Sequence, residues 1–353
     1  MSAKFAFEKK ETFVMNHSNI SIFIPHKGCP NCCSFCNQRK ISGADEPPSS
    51  EEVKIILEEA CPKLKSPENT EIAFFGGSFT AVPRDYMISL LEAAKPFVDK
   101  FHLSGIRVST RPDKIDGEVL SVLSEYNVTA IELGAQSMLD EILEKNDRGH
   151  TAQDVRSSSR LIKENGFELG LQMMTGLYGT APEDDIYTAD ELIKLSPDTV
   201  RIYPTVILGG TKLADLYQSG VYKPIPFDDE AELCAELLQK FENAYIRVIR
   251  LGLHASDNVR DDAVGGYYHP AMREICEGII FRKKIEELIK ESGNYKIYVS
   301  PKAVSKASGQ KKCNIEYFKN KGCDIKICAD ENMHGRQLRA EKNEKRSKSL
   351  KNP

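Results

Sequence analysis

Long apolar runs are missing from this sequence: no stretch is long enough to cross a bilayer as a helix, which excludes an expected membrane span. The opening MSAKFAFEKKETFVMNHSN has neither the apolar core nor the small-residue cleavage site of a secretory signal. A charge imbalance is missing too. With 48 Lys and Arg against 52 Asp and Glu, the net charge of −4 leaves no global footprint for nucleic acid, so any basic surface must be local. Together these absences lead us to expect a cytoplasmic protein with no membrane partner, in a reducing compartment where clustered cysteines point to metal rather than disulfides. What is present is ordinary for a globular chain: 41% hydrophobic and 28% charged residues over 353 positions. That length holds one large α/β domain with an appendage, or two domains.

The stretch that organises the rest is IFIPHKGCPNCCSFCNQRKISG, residues 22–43. Cys29, Cys32, Cys33 and Cys36 are crowded there, directly after the apolar run Ile22-Phe23-Ile24. Cys29, Cys33 and Cys36 are spaced Cys-x3-Cys-x2-Cys, with Cys32 an extra thiol beside them. A tetrahedral zinc site usually draws two ligand pairs from separate turns a dozen or more residues apart. Iron–sulfur clusters are commonly held by thiolates two to four residues apart in a single loop. Three thiolates would leave one iron with an open coordination position. Zinc and purely structural thiols remain the alternatives.

At these residues a resemblance enters. Cys29-x3-Cys33-x2-Cys36, with Phe35 before the last cysteine, resembles the signature of the radical S-adenosylmethionine (SAM) enzymes. The longer string from IPHKGC through FCNQRKISG, with GGSFTA, STRPD, ELGAQS and NDRGH further on, resembles the branch related to the radical SAM domain of the Elongator catalytic subunit. The resemblance implies that Cys29, Cys33 and Cys36 bind a [4Fe–4S] cluster whose open iron takes the SAM methionine. One electron, from a low-potential donor such as flavodoxin or ferredoxin, then yields a 5′-deoxyadenosyl radical. In that register Cys32 is a bystander.

Along the chain, short apolar runs alternate with amphipathic stretches, the pattern of βα units around a parallel sheet. Strands are expected at Ile20–Ile24, Glu71–Phe75, Gly105–Ser109, Ala130–Leu133, Glu168–Met174 and Thr199–Tyr203, their continuous apolar character suiting burial on both faces. Ser49-Ser50-Glu51-Glu52 and Thr151-x-x-Asp154 have the form of capping boxes, and Gly166 is placed to close a helix. A further strand is expected within Ile246–Leu253, with His254 and Asp257 at its exit; His269, before Pro270, reads as a turn residue.

Each strand is followed by a polar or glycine-rich exit, and in a parallel barrel all those exits open on one face. Gly76, Gly77 and Ser78 resemble the segment that contacts the methionine amino group of SAM, since glycines let a backbone approach a ligand closely. Ser109 and Arg111 resemble a ribose- and carboxylate-contacting exit. Glu132 and Gln136 are candidate partners of SAM or substrate, and Arg148 a bidentate partner for the SAM carboxylate. Towards the end, YKIYVSPKAVSKASGQKKCNIEYFKNKGCDIKI resembles the core of a KH domain, although Lys312 stands where the second glycine of the Gly-x-x-Gly loop belongs.

The expected architecture is therefore α/β, a partial (β/α)6 TIM-like barrel of the radical SAM type with a small C-terminal α/β, KH-like appendage. Its parts are an N-terminal extension over 1–19, barrel and extension over 20–281, a small basic unit over 282–334 and a disordered tail over 335–353. The expected function is modification of an RNA, specifically a tRNA base. Too little chain follows residue 281 for the acetyltransferase domain of the Elongator subunit. Two alternatives stand beside it: a small-molecule oxidoreductase resembling oxygen-independent coproporphyrinogen oxidase, against which Gln38 counts, and a non-catalytic RNA-binding iron–sulfur protein.

Overall fold

The computed structural model describes residues 17–25, 29, 33–37, 46–253 and 257–343. Cys32, Gln38 and His254 lie outside them, as does the tail beyond residue 343. The order of elements begins with β1 (Ser18–Ile24), α1 (Ser50–Ala60), β2 (Thr70–Gly76), α2 (Arg84–Phe101), β3 (Gly105–Thr110), α3 (Gly117–Glu125) and β4 (Val128–Gln136). A short α4 (Asp140–Lys145) and α5 (Ala152–Glu164) lead to β5 (Glu168–Thr175), α6 (Pro182–Lys194) and β6 (Thr199–Pro204). There follow β7 (Val206–Leu208), α7 (Lys212–Gln218), α8 (Phe227–Asn243), β8 (Arg247–Leu251), α9 (Asp257–Asp262), β9 (Ala263–Gly266) and α10 (Met272–Leu288). The chain continues through β10 (Gly293–Val299), α11 (Val304–Ser308), α12 (Cys313–Asn320), β11 (Cys323–Ala329) and β12 (Leu338–Lys342).

The main sheet is wholly parallel, in the order β1-β2-β3-β4-β5-β6-β8. All six expected strands are present, and β8 adds a seventh. It is the further strand expected within Ile246–Leu253: Val248 and Leu251 are buried and carry β8 onto the open edge of β6. In sequence order each strand lies beside the last, with helices on the outer face, so the sheet curls into a half-barrel rather than reversing direction. Its helices start where the side chains dictate. Ser49 Oγ accepts from the amide of Glu52, whose carboxylate accepts from Ser49 N at 2.7 Å, and Thr151 and Asp154 repeat the device on α5. Gly166 closes α5 with φ of +81°, a conformation that costs glycine little.

The expected domain boundary at residue 281 falls inside α10. The apolar residues of that helix are divided between two cores. Cys276, Ile279 and Ile280 pack with the half-barrel, while Phe281 and Ile285 pack with the C-terminal unit. In that unit β10 is central, parallel to β11 and antiparallel to β12, with α11 and α12 between β10 and β11 in sequence. The order strand, two helices, strand is as expected from the sequence. The disordered tail expected from residue 335 is corrected up to residue 343. Leu338 to Lys342 pair with Tyr295 to Val299, so backbone hydrogen bonding orders a segment whose composition gives little apolar drive. At the other end, β1 begins at Ser18, inside the expected extension.

Candidate active site

A cavity of about 420 Å³ opens at the C-terminal ends of the parallel strands, where exits from β1, β2, β3, β4, β6 and β8 meet. Cys29, Cys33 and Cys36 lie on its wall. Around them the loop is fastened to two distant elements. Ser34 N donates to Asn146 O at 3.0 Å, Ser34 Oγ donates to Asn146 Oδ1 at 2.9 Å, and Leu213 N donates to Ser34 O at 2.8 Å. Asn146 is completely buried, and its own amide donates to the carbonyls of Ile142 and Tyr178, each at 2.9 Å. The serine between two cysteines is thus a bolt. Sequence reasoning missed both residues; only the placement of Asn146 in the NDRGH run hinted at it.

Arg148 is the side chain nearest the chemistry. Its Nη2 donates to Gly134 O at 2.7 Å and its Nη1 to Cys33 Sγ at 3.4 Å. Gly134 is required for this: a Cβ there would stand 2.6 Å from Arg148 Nη2. Arg111, 2% exposed, holds the loop that carries Arg148. Its Nη1 and Nη2 donate to the carbonyls of Arg148 and Gly149 at 2.8 and 2.9 Å, and its Nε donates to Asp113 at 2.8 Å. Burial raises the Cys29 thiol pKa above its usual range, and the Arg148 and Arg111 guanidiniums partly offset that. Next to this pair His150 is kept neutral, its pKa lowered to about 3 by burial and by the same two arginines.

Gly76 and Gly77 line the cavity at the exit of β2, Gly77 N donating to Ile24 O at 2.7 Å; Gly76, at φ +104°, sits in a region reserved for glycine. Ser109 and Gln136 also line it. Gln136 departs from regular backbone, with φ of +67° at a register shift in β4. Ser78 and Glu132 stand behind the wall rather than on it. Ser78 Oγ shares a hydrogen bond with Thr110 Oγ1 at 2.9 Å and accepts from Arg111 N at 3.2 Å. Both Glu132 oxygens are taken by the Arg201 fork, Nε to Oε2 at 2.7 Å and Nη2 to Oε1 at 2.9 Å, with Gln172 donating at 2.8 Å and Arg107 at 3.5 Å. Gly170 makes room for it, since a Cβ there would meet Glu132 Cγ at 2.6 Å. His269 is a turn residue, its Nδ1 accepting from Ala271 N at 3.0 Å.

The three thiols face one space, yet among the described residues no three His, Cys, Asp or Glu side chains form a metal-binding group. Closely spaced thiols on one loop suit a multi-iron cluster better than a single tetrahedral ion, which usually draws its ligand pairs from separate turns. Among the described residues Gln136 Oε1 and Arg148 Nε, buried beside them, lack hydrogen-bond partners. Such orphans cost free energy unless a ligand completes them. The residues present fit a cluster with a polar co-ligand.

Comparison with known proteins decides the family. The Radical SAM superfamily profile matches residues 23–192, and the Radical_SAM C-terminal domain profile matches residues 197–280. The chain belongs to the radical SAM superfamily. Elongator complex protein 3 of Dictyostelium discoideum is 32% identical over 59% of this chain and 40% of its own length. The tRNA uridine(34) acetyltransferase of Methanocaldococcus jannaschii is 28% identical over 48% of this chain and 36% of its own. The archaeal Elp3 of Methanocaldococcus infernus superposes with a TM-score of 0.61 at 20% identity, over 76% of this chain and 63% of that one, which shows a shared fold. This radical SAM chain thus spans well under half of those two curated relatives. Among the described residues no helix is long and apolar enough to cross a membrane.

Proposed function

We propose that this radical SAM protein is an enzyme that modifies a base of transfer RNA in the cytoplasm, with a [4Fe–4S] cluster on Cys29, Cys33 and Cys36 and an electron drawn from a flavodoxin or ferredoxin. The observation that carries the reading is the row Cys33 Sγ, Arg148 guanidinium, Gly134 carbonyl on the wall that also holds the other two thiols. When bound, the cluster and SAM supply reductive cleavage to a 5′-deoxyadenosyl radical. The chain's own residues bind and orient. The Gly76–Gly77 backbone presents peptide groups at the β2 exit, Arg148 offers a buried donor for a carboxylate, and Gln136 and Ser109 offer polar contacts for the nucleoside. Arg111, Ser78 and Glu132 hold those groups from behind.

The RNA part of the reading draws on the relatives whose names include tRNA and on the C-terminal unit. There Gly309, Lys311 and Lys312 all have positive φ, at 74°, 52° and 65°, in the turn between α11 and α12. Two non-glycine residues so placed are costly, and such strain tends to persist where function needs it. Both lysines are exposed, where the KH-like reading puts a phosphate contact.

The test has two parts. Anaerobically reconstituted protein with dithionite and SAM is expected to release 5′-deoxyadenosine, and Cys33→Ala to abolish it. Mass spectrometry of tRNA nucleosides from a deletion strain is expected to show one modified nucleoside missing. An unchanged nucleoside profile would sink the RNA reading; absence of 5′-deoxyadenosine would sink the radical one.

A further inference from the structure

The cavity has a second half that the SAM reading leaves unused. Besides the groups given to the cluster and SAM, β1, β2, β5, β6 and β8 contribute Phe23, Phe75, Met174, Tyr203, Arg201 and Arg250 to its wall. Four arginines line the whole cavity, Arg111, Arg148, Arg201 and Arg250, and among the described residues no aspartate or glutamate lines it. The first two belong to the cluster side. Arg201 and Arg250 are register partners on β6 and β8, so their side chains leave neighbouring strands side by side. Two adjacent guanidiniums repel unless anions separate them.

Only one of the pair has its anion. Arg201 is forked onto Glu132 and lies over the Phe75 ring at 5.0 Å. The other buried carboxylate below it, Glu71, is spent on Arg107 at 2.6 Å. Arg250 is half-buried and has no hydrogen-bond or ion-pair partner among the described residues, its recorded neighbour being the Tyr203 phenol. That phenol is itself pushed up by burial and stays neutral. A guanidinium held in a confined wall without a counter-ion is a site for one negative charge.

We infer that Arg250, the register neighbour of Arg201, binds a monoanionic oxyanion carried by the substrate, a phosphodiester or a carboxylate. The inference rests on the proposed function only in giving the cysteine half of the cavity to SAM. The aromatic pair beside it, Phe23 and Phe75 with ring centroids 6.4 Å apart, adds flat apolar surface of the kind a nucleobase stacks on. A nucleotide brings both groups at once, and its phosphate is the expected source of the charge.

The experiment uses the full-length chain under anaerobic conditions and three probes, the dinucleotide UpU, uridine and acetate, with binding followed calorimetrically. UpU is expected to bind about 10- to 100-fold more tightly than uridine, the worth of one charge-assisted pair. Arg250→Gln is expected to erase that preference and Arg250→Lys to keep part of it, with thermal melts confirming that both variants fold. Acetate held through Arg250, with no gain for UpU, would keep the clamp and assign it to a carboxylate substrate. If neither anion gains over uridine, or if Arg250→Gln leaves the preference intact, the inference is overturned. Its failure is separable from failure of the radical reading. 5′-Deoxyadenosine release without anion preference removes the clamp alone, and anion preference without release removes the radical chemistry alone.

Discussion

Replacing Glu132 by Gln removes one negative charge from the inside of the half-barrel while keeping the side chain's volume. The carboxylate is 1% exposed, and its partners Arg107 and Arg201 have side chains 1% and 10% exposed, so solvent screens little of the interaction. Burial alone would raise this carboxyl, yet Arg201 and Arg107 hold it below its usual range, so it is ionised at neutral pH. Arg107 keeps Glu71 and Glu168 after the change. Arg201 loses its carboxylate and keeps an amide oxygen, the Tyr203 phenol and the Phe75 ring, none of them charged. Breaking a buried pair by removing one partner costs about 3–5 kcal/mol. Because Gln still accepts one hydrogen bond, the lower end, about 3 kcal/mol, is expected. That is a large share of the roughly 5–15 kcal/mol that holds a typical fold together. The assay is urea unfolding of the cluster-free chain by circular dichroism and tyrosine fluorescence; the sequence has 13 tyrosines and no tryptophan to mask them. Arg201→Gln on top of Glu132→Gln is expected to cost less than the sum of the single changes. A loss below about 1 kcal/mol, or strict additivity of the two, would refute the claim that this pair is a coupled buried element.

Three further expectations follow from the same geometry. His150 stays neutral in the folded protein down to about pH 3, whereas the unfolded chain takes up its proton near the ordinary histidine value of 6.5. Stability is therefore full above that value and falls as pH drops below it, by about 1.4 kcal/mol per pH unit. Cluster-free wild type is expected to lose about 2 kcal/mol more than His150→Gln between pH 7 and 5, and equal losses in denaturant titrations would contradict this. Gly134→Ala drives a methyl into the Arg148 guanidinium, so equilibrium dialysis of reconstituted protein is expected to show roughly tenfold weaker SAM binding. Unchanged affinity would detach Arg148 from the ligand. Lys311→Glu with Lys312→Glu is expected to lower the slope of log affinity for tRNA against log salt by about two; an unchanged slope removes the C-terminal turn from the RNA contact. Point changes are preferred to truncation there, because deleting β10 onward would strip the cover from Phe281 and Ile285 on α10.

The strands were legible because a parallel strand buried on both faces has to be apolar along its length, and Glu71–Phe75 or Glu168–Met174 read no other way. Their ends ran one to three residues further, most in β4, whose polar last residue Gln136 continues the ladder past a shift in register. The cysteine loop and glycine exits were legible for a chemical reason: sulfur spacing and missing Cβ atoms are local facts. Three things were not. β12 is held by pairing with β10, which no local composition encodes. The Ser34–Asn146 bolt joins residues 112 positions apart. The ion network needs the strand register, since only the alignment of β3, β4, β5 and β6, with Ser109 beside Glu132 and Gln172 beside Arg201, brings Arg107, Glu132, Gln172 and Arg201 within reach of one another.

That register also sorts the polar residues of the site by what they have left to give. Glu132 has spent both oxygens on Arg201, Gln172 and Arg107 and has no capacity in reserve for a ligand, whereas Arg111 gives three of its five N–H groups to Asp113 and two carbonyls. Among the described residues Gln136 Oε1 and Arg148 Nε are buried without a hydrogen-bond partner, and half-buried Arg250 stands on the wall as a cation with no counter-ion. A buried donor or acceptor left open costs free energy that folding does not recover by itself. The open groups lie in two places, Gln136 and Arg148 beside the three thiols and Arg250 across the cavity on β8. Two separated sets of unmet hydrogen-bonding capacity in one chamber argue for two occupants, a co-ligand at the cysteines and a negatively charged substrate opposite it.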